Sequence, residues 1–199
     1  MCQKPDREGG RARDRVALAN ARASDTCATL NKPLEQLNRV SREQADVEFL
    51  KCCGSQRWAS AMTTARPFAD VDDLLTKADS FWWSLSAEDW LEAFRAHPKI
   101  GEKKAAAAQS EEARQWSAQE QSGINDAAAE TMTALATGNR DYEQRFGFIF
   151  IVCATGKSSK EMLAILNGRL QNDAETEMGI AAEEQRKITR LRLEKLLQQ

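Results

Sequence analysis

One histidine, His97, is all that the 199 residues contain, and that scarcity argues against metal catalysis, which draws on clustered histidines and cysteines. The five cysteines, Cys2, Cys27, Cys52, Cys53 and Cys153, do not make up the deficit, because their number is odd and their spacing is not that of a metal site. Adjacent Cys52 and Cys53 are poorly placed to pair with each other, so the set reads as reduced thiols of a cytoplasmic protein. An excess of one charge is missing too. With a net charge of −2 and no basic stripe, the chain offers little to nucleic acid or to an anionic membrane surface. No apolar run approaches the length that crosses a bilayer. What is present is 42% hydrophobic content, enough for one sizeable core rather than two.

Residues 1–31 have neither a periodic apolar face nor the hydrophobic stretch of a secretory signal, and are read as a disordered extension. Their arginines suggest a transit peptide, but Asp6, Glu8, Asp14 and Asp25 oppose that. The remainder, 32–199, reads as a single compact multi-helix domain of the all-α class. Pro33 opens a short helix carrying Leu34, Leu37 and Val40, and Ser41 with Gln44 forms a capping box for a second, with Leu50, Cys52 and Cys53 inward and Gly54 at its end. Trp58, Ala61, Met62 and Ala65 share one face of a third helix, stopped before Pro67. Asp70 starts a fourth, and Ser86 with Asp89 a fifth that delivers His97 at its exit.

The alanine-rich stretch 103–115 is expected to be helical by propensity and to act as a mobile cover. Ser117 to Glu120 has the S-x-x-E pattern of a capping box, so a helix is expected from Ser117 to about Thr137, stopped by Gly138-Asn139. The run 146–154 has the composition of a buried strand but no partner strand anywhere in the chain, which favours a buried helical or extended segment. Ser158 with Glu161 and then Asp173 open the last two helices. The tryptophans lie on helical faces and are read as core.

Chemistry has few places to reside. Gly156-Lys157-Ser158 is similar to the end of a phosphate loop, but residue 151 is Ile where the motif needs glycine, so a nucleotide site is discarded. Three groups remain. His97 precedes Pro98, which pushes it out of the helix, and Gly101 frees the backbone beyond. Glu120 stands at the expected helix start, and Arg192 lies among leucines near the end of the chain. Each has a purely structural alternative: carbonyl capping for the histidine, a closed capping box for the glutamate, coverage of apolar surface for the arginine.

Taken together, His97 to Gly101, Trp116 to Ser122, Phe146 to Ala154 and Lys187 to Leu193 resemble, in order, the motifs of the 2-oxo-4-hydroxy-4-carboxy-5-ureidoimidazoline (OHCU) decarboxylases of urate breakdown. The likeness extends over about residues 32–199. It implies an all-α fold, a homodimer, no cofactor, a small ureidoimidazoline substrate, and (S)-allantoin with carbon dioxide as products. Carried across by motif, the catalytic pair falls on His97 and Glu120. Substrate contacts fall on Pro98, on Ser117, Ala118, Gln119 and Gln121, on the main chain of Phe150, Ile151, Val152, Cys153 and Ala154, and on Arg192.

These residue types suit the reaction. Loss of carbon dioxide places negative charge on a ring carbon, so the site needs donors aimed at the developing enolate and a positioned acid that protonates one face. Two other readings compete: a non-catalytic helical interaction module, and a lyase or hydrolase of another ureide.

Overall fold

A computed structural model describes residues 32–99, 110–120 and 129–198. Nine helices and no strand occur among the described residues: α1 (32–39), α2 (Arg42–Cys53), α3 (Gln56–Thr64), α4 (Val71–Trp83), α5 (Ala87–Arg95), α6 (Glu111–Glu120), α7 (Ala129–Phe146), α8 (Ser159–Arg169) and α9 (Ala174–Leu196). The all-α expectation holds. The expected extension 1–31 lies outside the described residues, as do residues 103–109 of the expected cover and Gln121.

Helix starts follow local chemistry. Ser41, Ser86 and Ser158 each accept the amide three residues on, and Gln44, Asp89 and Glu161 return a side-chain oxygen to the cap amide. Asp70 and Asp173 cap α4 and α9 through their carboxylates. Each cap is worth on the order of 1 kcal/mol, which fixes boundaries rather than the fold itself. The fold comes from α9, the longest helix, which packs against α2, α4 and α5, while α3 crosses α2 and α7 pairs with α8. Indole N–H groups pin these contacts: Trp58 donates to the Ala78 carbonyl, Trp82 to that of Ala182 and Trp90 to that of Trp82, each at 3.0 Å.

One glycine sets where the site falls. Gly54 ends α2 in the left-handed conformation (φ 85°), and a β-carbon there would come within 2.5 Å of the Ala96 β-carbon. The end of α2 therefore presses on the end of α5 immediately before His97.

Several expectations are corrected. Ser117 does not start a helix; it lies inside α6, where its hydroxyl donates to the Ala113 carbonyl at 3.0 Å. Gly138-Asn139 does not stop one either, since α7 runs through both to Phe146. Gly138 abuts Leu166 of α8, where a β-carbon would fall 2.7 Å from the Leu166 Cδ2, and the Asn139 amide donates back to the Leu135 carbonyl. Leu50 faces outward at 39% exposure, while Ala45, Phe49, Cys52 and Cys53 form the buried face of α2. Trp83 is 46% exposed and so is not core, unlike Trp58, Trp82 and Trp116.

The hydrophobic run resolves as expected in its extended alternative. After α7 the chain crosses the core without a ladder, burying Phe148 and Phe150 to Ala154. Side chains take over the polar accounting that a sheet would have done. The Ile151 carbonyl accepts from Arg169 Nη1 at 2.6 Å, the Cys153 carbonyl from Lys157 Nζ at 2.6 Å, and the Cys153 amide donates to Glu184 Oε2 at 2.7 Å.

Candidate active site

Four elements meet around one narrow cleft: the exit of α5, the C-terminal turn of α6, the extended stretch after α7, and the middle of α9. Its lining includes His97 and Pro98, Ser117 and Glu120, Phe150 to Val152, Ala154, Thr155 and Ile188. The groove between α7 and α8, lined by Glu130, Thr133 and Asp141, has no imidazole or cationic side chain in its lining.

Arg192 of α9 organises the α6 side of the cleft. Its Nε and Nη2 reach Glu120 Oε1 and Oε2 at 3.0 and 2.9 Å, the two-pronged pairing that a planar guanidinium favours. Nη2 also donates to the Ser117 hydroxyl at 3.0 Å, which gives that serine its tertiary role in place of a cap. Lys195 Nζ stands 3.7 Å from Glu120 Oε1 and adds a second positive charge. The Arg192 and Glu120 side chains are 3% and 9% exposed, so this pair is shielded from solvent and held in one geometry.

His97 leaves α5 with its amide on the Phe94 carbonyl at 3.1 Å. As a whole the residue is partly exposed, but its Nε2 is shut off from solvent and makes no hydrogen bond of normal geometry. Burial, with the positive charge of Arg192 adding to it, pushes the imidazole down to about 3, although the nearby Gln185 side chain pulls the other way. The ring is therefore neutral at physiological pH. Burial likewise pushes up the thiol of Cys52, against the partial relief given by Arg192, and that of Cys153. These are inert core groups rather than nucleophiles.

Most of the expected site residues converge. His97, Pro98, Ser117, Glu120, Phe150, Ile151, Val152 and Ala154 line the cleft, and Arg192 holds two of them. Ala118 and Gln119 do not join them, because on α6 they point to solvent. Cys153 is buried beside the cleft with its amide already taken by Glu184. Among the described residues the amides of Ile151, Val152 and Ala154 make no hydrogen bond. Among the described residues the Glu120 carboxylate bonds to Arg192, not to the His97 imidazole. Thr155 and Ile188 were missed. Ile188 shares a helical face with Arg192, four residues on, and that spacing was the available signal.

Comparisons with known proteins agree with this arrangement. A model of the family "OHCU decarboxylase" matches residues 38–194. The Uric acid degradation bifunctional protein TTL of Arabidopsis thaliana is 38% identical over 157 residues, covering 79% of this chain; the chain spans only about half (48%) of that protein's length. The 2-oxo-4-hydroxy-4-carboxy-5-ureidoimidazoline decarboxylase of Amia calva is 32% identical over 83% of this chain and 94% of its own. A crystal structure of OHCU decarboxylase in the presence of (S)-allantoin superposes with a TM-score of 0.67 at 38% identity, covering 76% of this chain and 98% of that one. With motifs, fold and relatives in agreement, the chain belongs to the OHCU decarboxylase family.

Proposed function

We propose that this protein is a cofactor-independent carboxy-lyase that converts 2-oxo-4-hydroxy-4-carboxy-5-ureidoimidazoline to (S)-allantoin and carbon dioxide in urate degradation. The observation that carries the reading is the meeting, in one cleft of a chain of this family, of a neutral buried histidine, an arginine-held carboxylate and unpaired main-chain amides.

The roles follow from those states. Hydroxyl and carboxylate share one ring carbon of the substrate. As the carbon–carbon bond to the carboxylate breaks, its electron pair passes into the ring, and the amides of Ile151, Val152 and Ala154 are the donors at hand for the charge that develops. A neutral His97 accepts the hydroxyl proton as the carbonyl forms and hands it on to the ring system. One further proton, taken from solvent, balances the loss of carbon dioxide. Glu120, fixed by Arg192, faces the cleft as the second proton-transfer group, and Pro98 and Ser117 form walls against which the ring is oriented. Gln121 is assigned to the substrate by the motif alone.

The domain is taken as 32–199, acting as a homodimer in the cytoplasm. The dimer is what the family resemblance implies; free, buried Cys52, Cys53 and Cys153 favour a reducing compartment. No described helix is long and apolar enough to cross a membrane.

A coupled assay tests the activity. Urate, urate oxidase and the hydrolase that follows it generate the carboxylated intermediate, and added protein is expected to speed its decay and give optically active allantoin. Racemic product at the uncatalysed rate would overturn the reading, and would leave a non-catalytic module or another ureide as the alternatives. The rate is expected to survive dialysis against a strong chelator, and its restoration by zinc after loss would contradict the cofactor-free assignment.

A further inference from the structure

Gln185 of α9 is fully buried and reaches the same helix exit as His97 from behind. Its Nε2 donates to the Cys53 carbonyl at 3.4 Å and to Thr189 Oγ1 at 3.2 Å. The direction of the second bond is fixed. Thr189 spends its one hydroxyl proton on the Gln185 main-chain carbonyl at 3.0 Å, so towards the amide it can only accept. A carbonyl at Cys53 can only accept as well. Both neighbours demand the NH2 end, and this settles the amide orientation, leaving Oε1 as the end that has no partner.

That orphaned oxygen has a counterpart. Among the described residues, Gln185 Oε1 and His97 Nε2 are both buried without a hydrogen bond of normal geometry. The Gln185 side chain favours protonation of the ring, against the larger opposing effects of burial and of Arg192. Gly54 against Ala96 and Cys53 against Gln185 bring the ends of α2 and α5 and the middle of α9 to one point. A bare ring nitrogen and an amide oxygen are two buried acceptors without a donor at one helix exit, and a proton on Nε2 would serve both.

We propose that Gln185 is a positioning residue that holds His97 as the Nε2–H tautomer, so that the Nδ1 lone pair is the group that meets protons in the cleft. This rests on the reading of His97 as the proton acceptor of the reaction, and it deepens that reading by naming the atom. Gln185 touches no substrate. It acts through the imidazole, as the Thr189 hydroxyl in turn acts through the amide.

The single histidine makes the experiment direct. Untagged protein labelled with 15N-histidine gives one pair of ring nitrogens in a two-bond proton–nitrogen correlation spectrum at neutral pH. Expected are a protonated Nε2 and a bare Nδ1, in slow exchange with nothing else. A bare Nε2, or a spectrum averaged between tautomers, would overturn the assignment on the parent protein alone. Gln185→Met keeps the length and removes the oxygen; it is expected to give the averaged spectrum and to lower kcat about tenfold or more with KM little changed. A folded Met variant with the parent's spectrum would overturn the role of Gln185. The two readings separate cleanly, because the spectrum reports the tautomer whatever the turnover, while a parent with the expected spectrum and no decarboxylation would refute only the activity.

Discussion

Two buried arginine–glutamate pairs each have one partner on α9, and they are alike in chemistry and opposite in use. In the first, Glu177 is wholly buried: Oε1 accepts from Arg169 Nε at 2.6 Å and from the Tyr142 hydroxyl, and Oε2 from Asn172 Nδ2 at 2.7 Å. Arg169 continues to the Ile151 carbonyl and stacks over the Phe150 ring at 4.8 Å. Every strong donor and acceptor there is answered by protein, and burial pushes the Tyr142 hydroxyl to ionise only far above its usual range. In the second pair, Arg192 grips Glu120 just as firmly, but Glu120 and Ser117 also border the cleft that His97 lines. A network closed on itself ties α7, α8, α9 and the extended stretch together. One left open on a single side presents a fixed charge to whatever enters.

The largest expected effect breaks the closed pair. Glu177→Leu leaves the Arg169 guanidinium buried without its counter-ion, and a denaturant titration should show a loss of about 3–5 kcal/mol, a large share of a typical domain's stability. Adding Arg169→Met should recover much of that, because an apolar replacement of both partners leaves no stranded charge. Failure of the double variant to recover would mean that the Ile151 carbonyl, not the ion pair, is what Arg169 chiefly serves.

The open pair should answer differently. Glu120→Gln keeps the shape but only one of the two acceptors for Arg192, the amide NH2 now facing a donor, so a stability loss of about 1–3 kcal/mol is expected. Turnover should nevertheless fall at least about a hundredfold, equivalent to about 2.7 kcal/mol of barrier, because an amide neither holds nor passes a proton as a carboxylate does. Steady-state rates and a melt on the same preparation decide it. Equal rates would reduce Glu120 to a second structural pair and move the proton chemistry to His97 alone.

How much of this was legible in the sequence depended on how far the deciding contact lay along the chain. Ser41, Asp70, Ser86, Ser158 and Asp173 were readable because a cap bonds within three residues of itself. Ser117 carries the same local pattern, yet its hydroxyl is claimed by Ala113 and by Arg192, 75 residues away, so the pattern misled. Gly138-Asn139 looked like a stop because the pressure of Leu166 on Gly138 is invisible from the local sequence. His97 and Arg192 were found by motif. Ile188 was open to view through its four-residue spacing from Arg192, whereas Thr155 reaches the cleft, and Gln185 the helix exit behind it, through packing of distant elements.

The smallest effect probes the histidine itself, and acid stability is the way to read it. Folded, the ring titrates at about 3; unfolded, it returns to about 6.5. Between those values the unfolded chain binds a proton that the folded chain refuses, so stability rises with pH across the window and is complete above about 6.5. On acidification it is lost by up to about 1.4 kcal/mol per pH unit, or about 2 kcal/mol from pH 6.5 to 5. The carboxylates held low, such as Asp73, Glu161 and Asp173, contribute in the same direction but chiefly below that range, because their ordinary values are 3.8 to 4.5. With no second histidine to share the slope, His97→Asn should flatten it between pH 5 and 6.5 while lowering turnover at least about a hundredfold at neutral pH. Parallel stability curves for parent and variant would show that the folded imidazole takes up its proton as readily as the unfolded one, and the neutral acceptor on which the closed and open pairs differ would be lost.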